Sequence, residues 1–165
     1  MKTLVIGLGN PILTDDGVGV KVAYQIQEDL CSVPHPDIDI TEASVGGLHL
    51  METMIGYDQV FIIDAIILEH QPQPGKVQRM AIDDLRNLSP TQHSASAHDT
   101  TLVTALDMAK RIGLSIPTKI VIYAIEVENV LEFSETTTSE VSKSIPFVAQ
   151  KIIDELAIDY NLSIS

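Results

Sequence analysis

The sequence is short of several residue types, and each shortage excludes a class of protein. Trp is absent and aromatic residues make up only 4% of the 165 positions, so any core must be aliphatic. Cys31 is the only cysteine, so no internal disulfide can form, which fits a reducing cytosol and predicts a cytoplasmic protein. Ten Lys and Arg stand against 23 Asp and Glu, and the net charge of −13 argues against nucleic acid or an anionic membrane surface as a partner.

Long hydrophobic runs are also missing. The opening apolar run is three residues long, so we expect no secretory signal, and no stretch approaches the length of a membrane span. The chain is nevertheless 45% hydrophobic, which predicts one globular domain over residues 1–165.

Short apolar runs alternate with segments of helical periodicity along the chain. This alternation predicts an α/β fold with a mostly parallel sheet. The predicted strands are 4–6, 37–43, 60–63 and 120–125, with a weaker, edge-like strand at 76–80. The predicted helices are 17–30, 48–54, 102–112 and 145–156, with one helical turn at 82–85, Asp99 as a cap and a long loop over 126–140.

The first seventeen residues are the most informative stretch. A buried strand at 4–6 ends at Gly7 and Gly9, which permit a sharp turn, and an Asn-Pro pair then prevents a helix from starting at once. Asp15 and Asp16 follow, before the helical pattern begins. Since ligands of open α/β sheets bind at the carboxyl ends of the strands, this loop delivers both carboxylates to such a site. We interpret Asp15 mainly as a helix-capping residue and Asp16 as a functional one.

Two further side chains are candidates for the same edge of the sheet. Asp64 follows the strongest strand pattern, and His98 lies in a polar stretch before a helix. Together with Asp16 they form a credible divalent-metal site, whose oxygen and nitrogen donors suit nickel, zinc, manganese or iron. Asp64 is equally compatible with accepting backbone N–H groups, and His93 is as eligible as His98 on composition alone.

The glycine loop allows two other interpretations, both weaker. Gly7-x-Gly9 is part of the dinucleotide fingerprint GxGxxG, but Ile12 occupies the third glycine position and Pro11 the expected helix start. The segment up to Pro11 also looks like the start of peptidyl-tRNA hydrolase, although no Arg-His-Asn follows and the charge is wrong for a tRNA enzyme. No Ser-His-Asp or Cys-His signature is present.

A longer match covers most of the chain in the same order and spacing. It is carried by Gly7–Gly19, Gly46-Gly47-Leu48, the strand Val60–Asp64 with Ala65, Ser96-Ala97-His98 and, more loosely, Ile125-Glu126. In these residues the sequence resembles the hydrogenase maturation endopeptidases, cytosolic proteases that trim the C-terminal extension from the large subunit of nickel-containing hydrogenases.

The resemblance implies a three-layer α/β/α fold with a five-stranded sheet in the order 2-1-3-5-4, the fourth strand being antiparallel. It also implies that Asp16, Asp64 and His98 contact the metal and carry the catalysis, with Asp15 and Glu126 as candidates for an additional acid or base. His98 is preferred to His93 on this ground alone. The family often has Glu at the first ligand position, where this chain has the shorter Asp16.

The resemblance further implies that the metal arrives with the substrate. The expected partner is a hydrogenase large-subunit precursor whose inserted nickel is recognised by the three side chains and promotes amide hydrolysis. Zinc, cadmium and manganese are other divalent ions that such a site can hold. The alternative is a non-catalytic nickel-sensing binder or chaperone of the precursor, which would use the same residues and leave the extension intact.

Overall fold

The computed structural model describes residues 1–44, 47–68, 71–87 and 97–162, without the side chains of 85–87 and 97–101. The apolar runs form the strands β1 (Thr3–Leu8), β2 (Ile38–Ala43), β3 (Gln59–Ile66), β4 (Val77–Ala81) and β5 (Lys119–Glu126). The helices are α1 (Val18–Asp29), α2 (Gly47–Met54), α3 (Ile82–Asn87), α4 (Ala97–Arg111) and α5 (Ser139–Tyr160), and a 3-10 turn at Thr14–Gly17 precedes α1.

The strands form one sheet in the order β2-β1-β3-β5-β4. The pairings of β1 with β2 and β3, and of β3 with β5, are parallel, whereas β4 runs antiparallel to β5. The order and the antiparallel fourth strand confirm the fold that the family resemblance implies. The edge position of β4 agrees with its weak alternating pattern, because an edge strand is buried less than a central one.

Two aliphatic cores sandwich the sheet, one on each face. On β3, Phe61 and Ile63 face the core that α1 and α5 cover, whereas Val60 and Ile62 face the core of α2 and α4. This alternation follows from the two-residue repeat of a strand. Every residue of β3 is buried, which explains why its run of four apolar residues is the strongest strand signal in the sequence.

Several predicted boundaries are wrong. Strand β3 continues through Ile66 because its ladder with β5 extends to the pair Ile66↔Glu126, so Asp64 lies inside the strand and Glu126 ends β5 instead of opening a loop. Helix α4 begins at Ala97, which places Asp99 within its first turn rather than at its cap. Helix α5 is longer than predicted and contains Pro146. No helix in the described ranges has the length and apolar character needed to cross a membrane.

Candidate functional site

The loop after β1 folds back tightly on itself and holds Asp16. Gly9 has a φ of 122°, and a Cβ there would lie 1.8 Å from the backbone oxygen of Asp16, so only glycine fits. The backbone N–H of Asn10 donates to Asp16 Oδ2 at 2.7 Å, which fixes the partly buried carboxylate relative to the loop. This loop therefore presents Asp16 beyond the carboxyl end of β1, and binding of a ligand there stays a prediction.

The first turn of α1 packs directly on the ends of two neighbouring strands. A Cβ on Gly19 would lie 2.3 Å from the carbonyl oxygen of Ile63 and 2.5 Å from that of Leu8. The close approach needs glycine and brings the start of α1 against both β1 and β3. The turn that carries Asp16 is thereby held against the end of β3.

Asp64 lies at the same edge, on the next strand. The ladder between β1 and β3 ends at the pair Gly7↔Ile63, so Asp64 is the first residue of β3 beyond it, where β1 turns into its loop. Its side chain is only 3% exposed, and Oδ1 accepts the N–H of Ala65 at 2.9 Å. By the strand repeat Asp64 shares the sheet face of Ile62, which α2 and α4 cover.

The backbone of position 98 lies in the first turn of α4. This helix of 15 residues, about 22 Å long, leads back to the amino end of β5, so its own first turn lies towards the carboxyl edge of the sheet. Position 98 is one turn before Leu102, which is 1% exposed in the core of that face. The side chain of His98 lies outside the described residues, as do His93, Gly46 and Ser96.

The three predicted ligands are thus assigned to one edge by their backbone positions, but their convergence stays a prediction. Among the side chains that the structure describes, no three His, Cys, Asp or Glu residues form a group that could hold a metal ion. The described side chains include those of Asp16 and Asp64 but not that of His98. The carboxylate and imidazole donors fit a divalent transition metal chemically.

Asp15 is fully buried and joins the loop after β1 to the segment after β5. Its carboxylate accepts the N–H of Asn129 at 3.1 Å, the N–H of Thr138 at 2.7 Å and the hydroxyl of Thr138 at 3.0 Å. Asp15 does lie in the first turn of the 3-10 helix, but the capping interpretation is wrong about its hydrogen bonds, because neither that turn nor α1 has a side-chain cap. Asp15 instead anchors the start of α5. Its role as an acid or base stays a prediction.

Glu126 ends β5 and is 1% exposed. Its Oε1 accepts the N–H of Gln73, whereas Oε2 is buried without a hydrogen-bond partner among the described residues. Burying an unpartnered carboxylate oxygen is costly, so such atoms call for a functional explanation. By the strand repeat Glu126 lies on the same sheet face as Asp64. It stays a candidate acid or base.

Sequence reasoning missed the role of the segment between β5 and α5, which we call the 127–138 loop. It lies alongside the loop after β1: Thr14 N–H donates to the Ser134 carbonyl at 2.9 Å, and Ser134 N–H donates to the Ile12 carbonyl at 3.0 Å. Leu131 and Phe133 on this loop are 85% and 82% exposed. Two large apolar residues in an otherwise acidic, Thr-rich stretch were the signal that could have revealed it.

Comparisons with known proteins agree on one family. The sequence model of the HycI family, described as hydrogenase maturation protease, matches residues 20–155. A putative hydrogenase maturation protease of Methanocaldococcus jannaschii is 24% identical over 115 residues, covering 68% of this chain and 70% of the relative. The hydrogenase 2 maturation protease of Escherichia coli is 32% identical over 68 residues, covering 41% of this chain and 40% of the relative.

Solved structures show the same fold. The hydrogenase maturating endopeptidase HybD of E. coli superposes with a TM-score of 0.79 at 23% identity, over 96% of this chain and 94% of that one. A [NiFe] hydrogenase maturation protease HybD of Thermococcus kodakarensis gives 0.70 at 23% identity, over 95% and 99% of the two chains. The family match spans most of the chain and the structural likeness nearly all of it, so this chain belongs to the hydrogenase maturation protease family.

Proposed function

We propose that this chain is an endopeptidase that removes the C-terminal extension of a nickel-containing hydrogenase large-subunit precursor, and that it recognises the nickel already inserted there. Family membership supports the reaction class and the partner. The main structural support for the proposed site is the position of Asp16 and Asp64 at the carboxyl ends of the neighbouring strands β1 and β3. Helix α4 begins towards that edge, with position 98 in its first turn.

In this proposal nickel belongs to the substrate. Asp16 and Asp64 each supply an oxygen ligand and His98 a nitrogen ligand, which leaves coordination positions for groups of the precursor. Asp16 is one methylene shorter than the Glu often found in the family. Its Oδ2 already accepts the N–H of Asn10, so Oδ1 is the oxygen that we assign to the ion. Zinc, cadmium and manganese can replace nickel in such a donor set.

The metal contact would hold the scissile peptide bond in place, and positioning is a large part of such catalysis. Amide hydrolysis also needs a group that exchanges protons with water and with the leaving amine, a role that a carboxylate can fill. Glu126 is better suited to this than Asp15, because its Oε2 has no hydrogen-bond partner among the described residues, whereas Asp15 accepts three hydrogen bonds. Glu126→Gln is therefore expected to slow cleavage more than it weakens binding of the precursor.

Processing of a purified, nickel-loaded precursor tests the assignment. His98→Ala should abolish the gel shift that marks loss of the extension, while the circular dichroism spectrum stays that of a folded protein. His49→Ala is the matched control, because His49 lies on α2 with its side chain 76% exposed and its ring pairs with the exposed Glu52 side chain. Unchanged cleavage by the His98 variant would reject the ligand set, and loss of cleavage in His93→Ala alone would transfer the role to that residue.

Nickel dependence is tested with the same precursor prepared without the metal. Wild-type protein should leave this apo-precursor intact, because the ion is what Asp16, Asp64 and His98 recognise. Equal processing of both preparations would refute nickel recognition but not the protease activity. Binding of the loaded precursor without any cleavage would instead favour the alternative, a nickel-sensing binder or chaperone.

A further inference from the structure

Three large apolar side chains are exposed on the loop that carries Asp16 and on the loop beside it. Leu131 and Phe133 are 85% and 82% exposed on the 127–138 loop, and Ile12 is 46% exposed on the loop after β1. The two loops run side by side, joined by the hydrogen bond from Ser134 N–H to the Ile12 carbonyl. Single exposed apolar residues are common, but a group of them on neighbouring segments indicates an interaction surface. We call Ile12, Leu131 and Phe133 the apolar rim.

The 127–138 loop is held in place by hydrogen bonds, although Leu131 and Phe133 on it are exposed. Buried Asp15 holds the 127–138 loop at two points, through the backbone N–H groups of Asn129 and Thr138. The Thr14 hydroxyl donates to the Glu132 carbonyl at 2.7 Å, and the Asn129 amide donates to the Glu132 carboxylate at 2.8 Å. Because these contacts order the loop in the free protein, the loop loses little additional conformational entropy when a partner binds it.

The rim is continuous with the proposed metal site. Ile12 and Asp16 belong to the same short loop, whose end residues are tied by the hydrogen bond from Asn10 N–H to Asp16 Oδ2. A precursor that brings its ion to Asp16 therefore passes the rim. The apolar surface is therefore available to the part of the precursor near its ion.

The charge around the rim indicates the chemistry of the occupant. Glu128, Glu132 and Glu135 are exposed on the 127–138 loop, and the nearby Lys21 ammonium is already bonded to the Glu135 carbonyl at 2.6 Å. An acidic surround selects a partner that carries basic residues. It disfavours an anionic membrane, and a second copy of a chain with net charge −13 would be repelled.

From these observations we infer that the apolar rim docks the large-subunit precursor through a segment that combines apolar with basic side chains. The inference rests on the proposed function, since that function supplies the partner. It assigns the rim to substrate binding and leaves the chemistry to the metal-contacting residues.

Steady-state processing of the nickel-loaded precursor tests this. The double variant Leu131→Ser, Phe133→Ser should raise KM about tenfold or more with a much smaller effect on kcat, because buried aromatic contacts dominate interfaces. The control is Ile158→Ser, since Ile158 is 82% exposed at the far end of α5 and should leave KM unchanged. Added salt should also raise KM for wild type, because it screens the acidic surround.

A direct binding measurement separates failure of this inference from failure of the proposed function. If wild type cleaves the precursor and the double variant has the wild-type KM, the docking surface is wrong while the protease stands. If wild type binds the precursor without cleaving it, the affinity of the double variant for the precursor tests the docking surface. Binding about tenfold weaker than wild type supports the apolar rim as that surface. Equal binding overturns the inference. A wild-type dimer that the double substitution dissociates in sedimentation would likewise overturn it.

Discussion

The sharpest structural prediction concerns Asp15. Its buried carboxylate accepts hydrogen bonds from the N–H groups of Asn129 and Thr138 and from the Thr138 hydroxyl, at 3.1, 2.7 and 3.0 Å. Asp15→Ala removes all three and leaves two backbone donors without their acceptor. We expect the start of α5 and the 127–138 loop to loosen together, since both are tied to this one side chain.

The magnitude follows from the number of bonds. A hydrogen bond to a charged group contributes about 1.5–3 kcal/mol, but removing the buried carboxylate also removes its desolvation cost, so the net loss should be about 3–4 kcal/mol. Asp15→Asn keeps an acceptor for Thr138 N–H, but its amide NH₂ then meets the N–H of Asn129. Asp15→Asn should therefore lower the free energy of unfolding by about 1–2 kcal/mol. In a domain of this size, the alanine variant should melt about 10 °C below wild type.

Urea denaturation of wild type, both Asp15 variants and Asp154→Ala measures these differences. Asp154 is the matched control, because it is exposed and accepts a hydrogen bond from the Gln150 side chain. Asp154→Ala should therefore change the free energy of unfolding by no more than about 0.5 kcal/mol. Hydrogen exchange should show lost protection at Asn129 and Thr138 in the alanine variant. If Asp15→Ala proves as stable as Asp154→Ala, Asp15 does not anchor the 127–138 loop and the start of α5.

Two further predictions follow from the geometry. Gly9→Ala should lose more than about 2 kcal/mol of stability and impair cleavage, because its Cβ would clash with the Asp16 carbonyl. Gly56→Ala is the control, because Gly56 also has a positive φ, 87°, but open space around it. It should lose about 1–2 kcal/mol in the same denaturation assay. The Arg79 guanidinium bonds the Glu155 carboxylate and lowers its pKa, so their contact stabilises the fold above the usual pKa of 4.5 and is lost as the pH falls. Arg79→Met should therefore be less stable than wild type at pH 7, by up to about 1 kcal/mol, and the gap in denaturation midpoints should close in acid.

Local patterns were sufficient for most of the secondary structure. The apolar run before Gly7 forms β1, and the run at 60–63 forms the fully buried core of β3. The order of the strands came from the family resemblance, because periodicity carries no information on which strands are neighbours. It is confirmed. The ends of β3 and β5 were missed because pairing between the two strands, rather than composition, extends them to Ile66 and Glu126.

The partners of Asp15 explain the other failure. Asn129 and Thr138 are 114 and 123 residues away, so no local rule could find them, and the local rule for Asp near a helix start predicted capping instead. Leu131 and Phe133 were visible in the sequence, but their exposure is a property of the packed chain.

The amino-acid sequence by itself determined the α/β class, the glycine turn after β1 and the residue types that can contact a metal, because each depends on neighbours in the chain. Tertiary structure decided which of two neighbouring carboxylates is partly exposed and which is buried. Asp15 and Asp16 are adjacent and chemically identical, yet the first is fully buried as an anchor for a distant loop and the second remains partly exposed at the edge of the sheet. The difference arises because the fold brings Asn129 and Thr138, which are distant in sequence, within hydrogen-bond distance of Asp15.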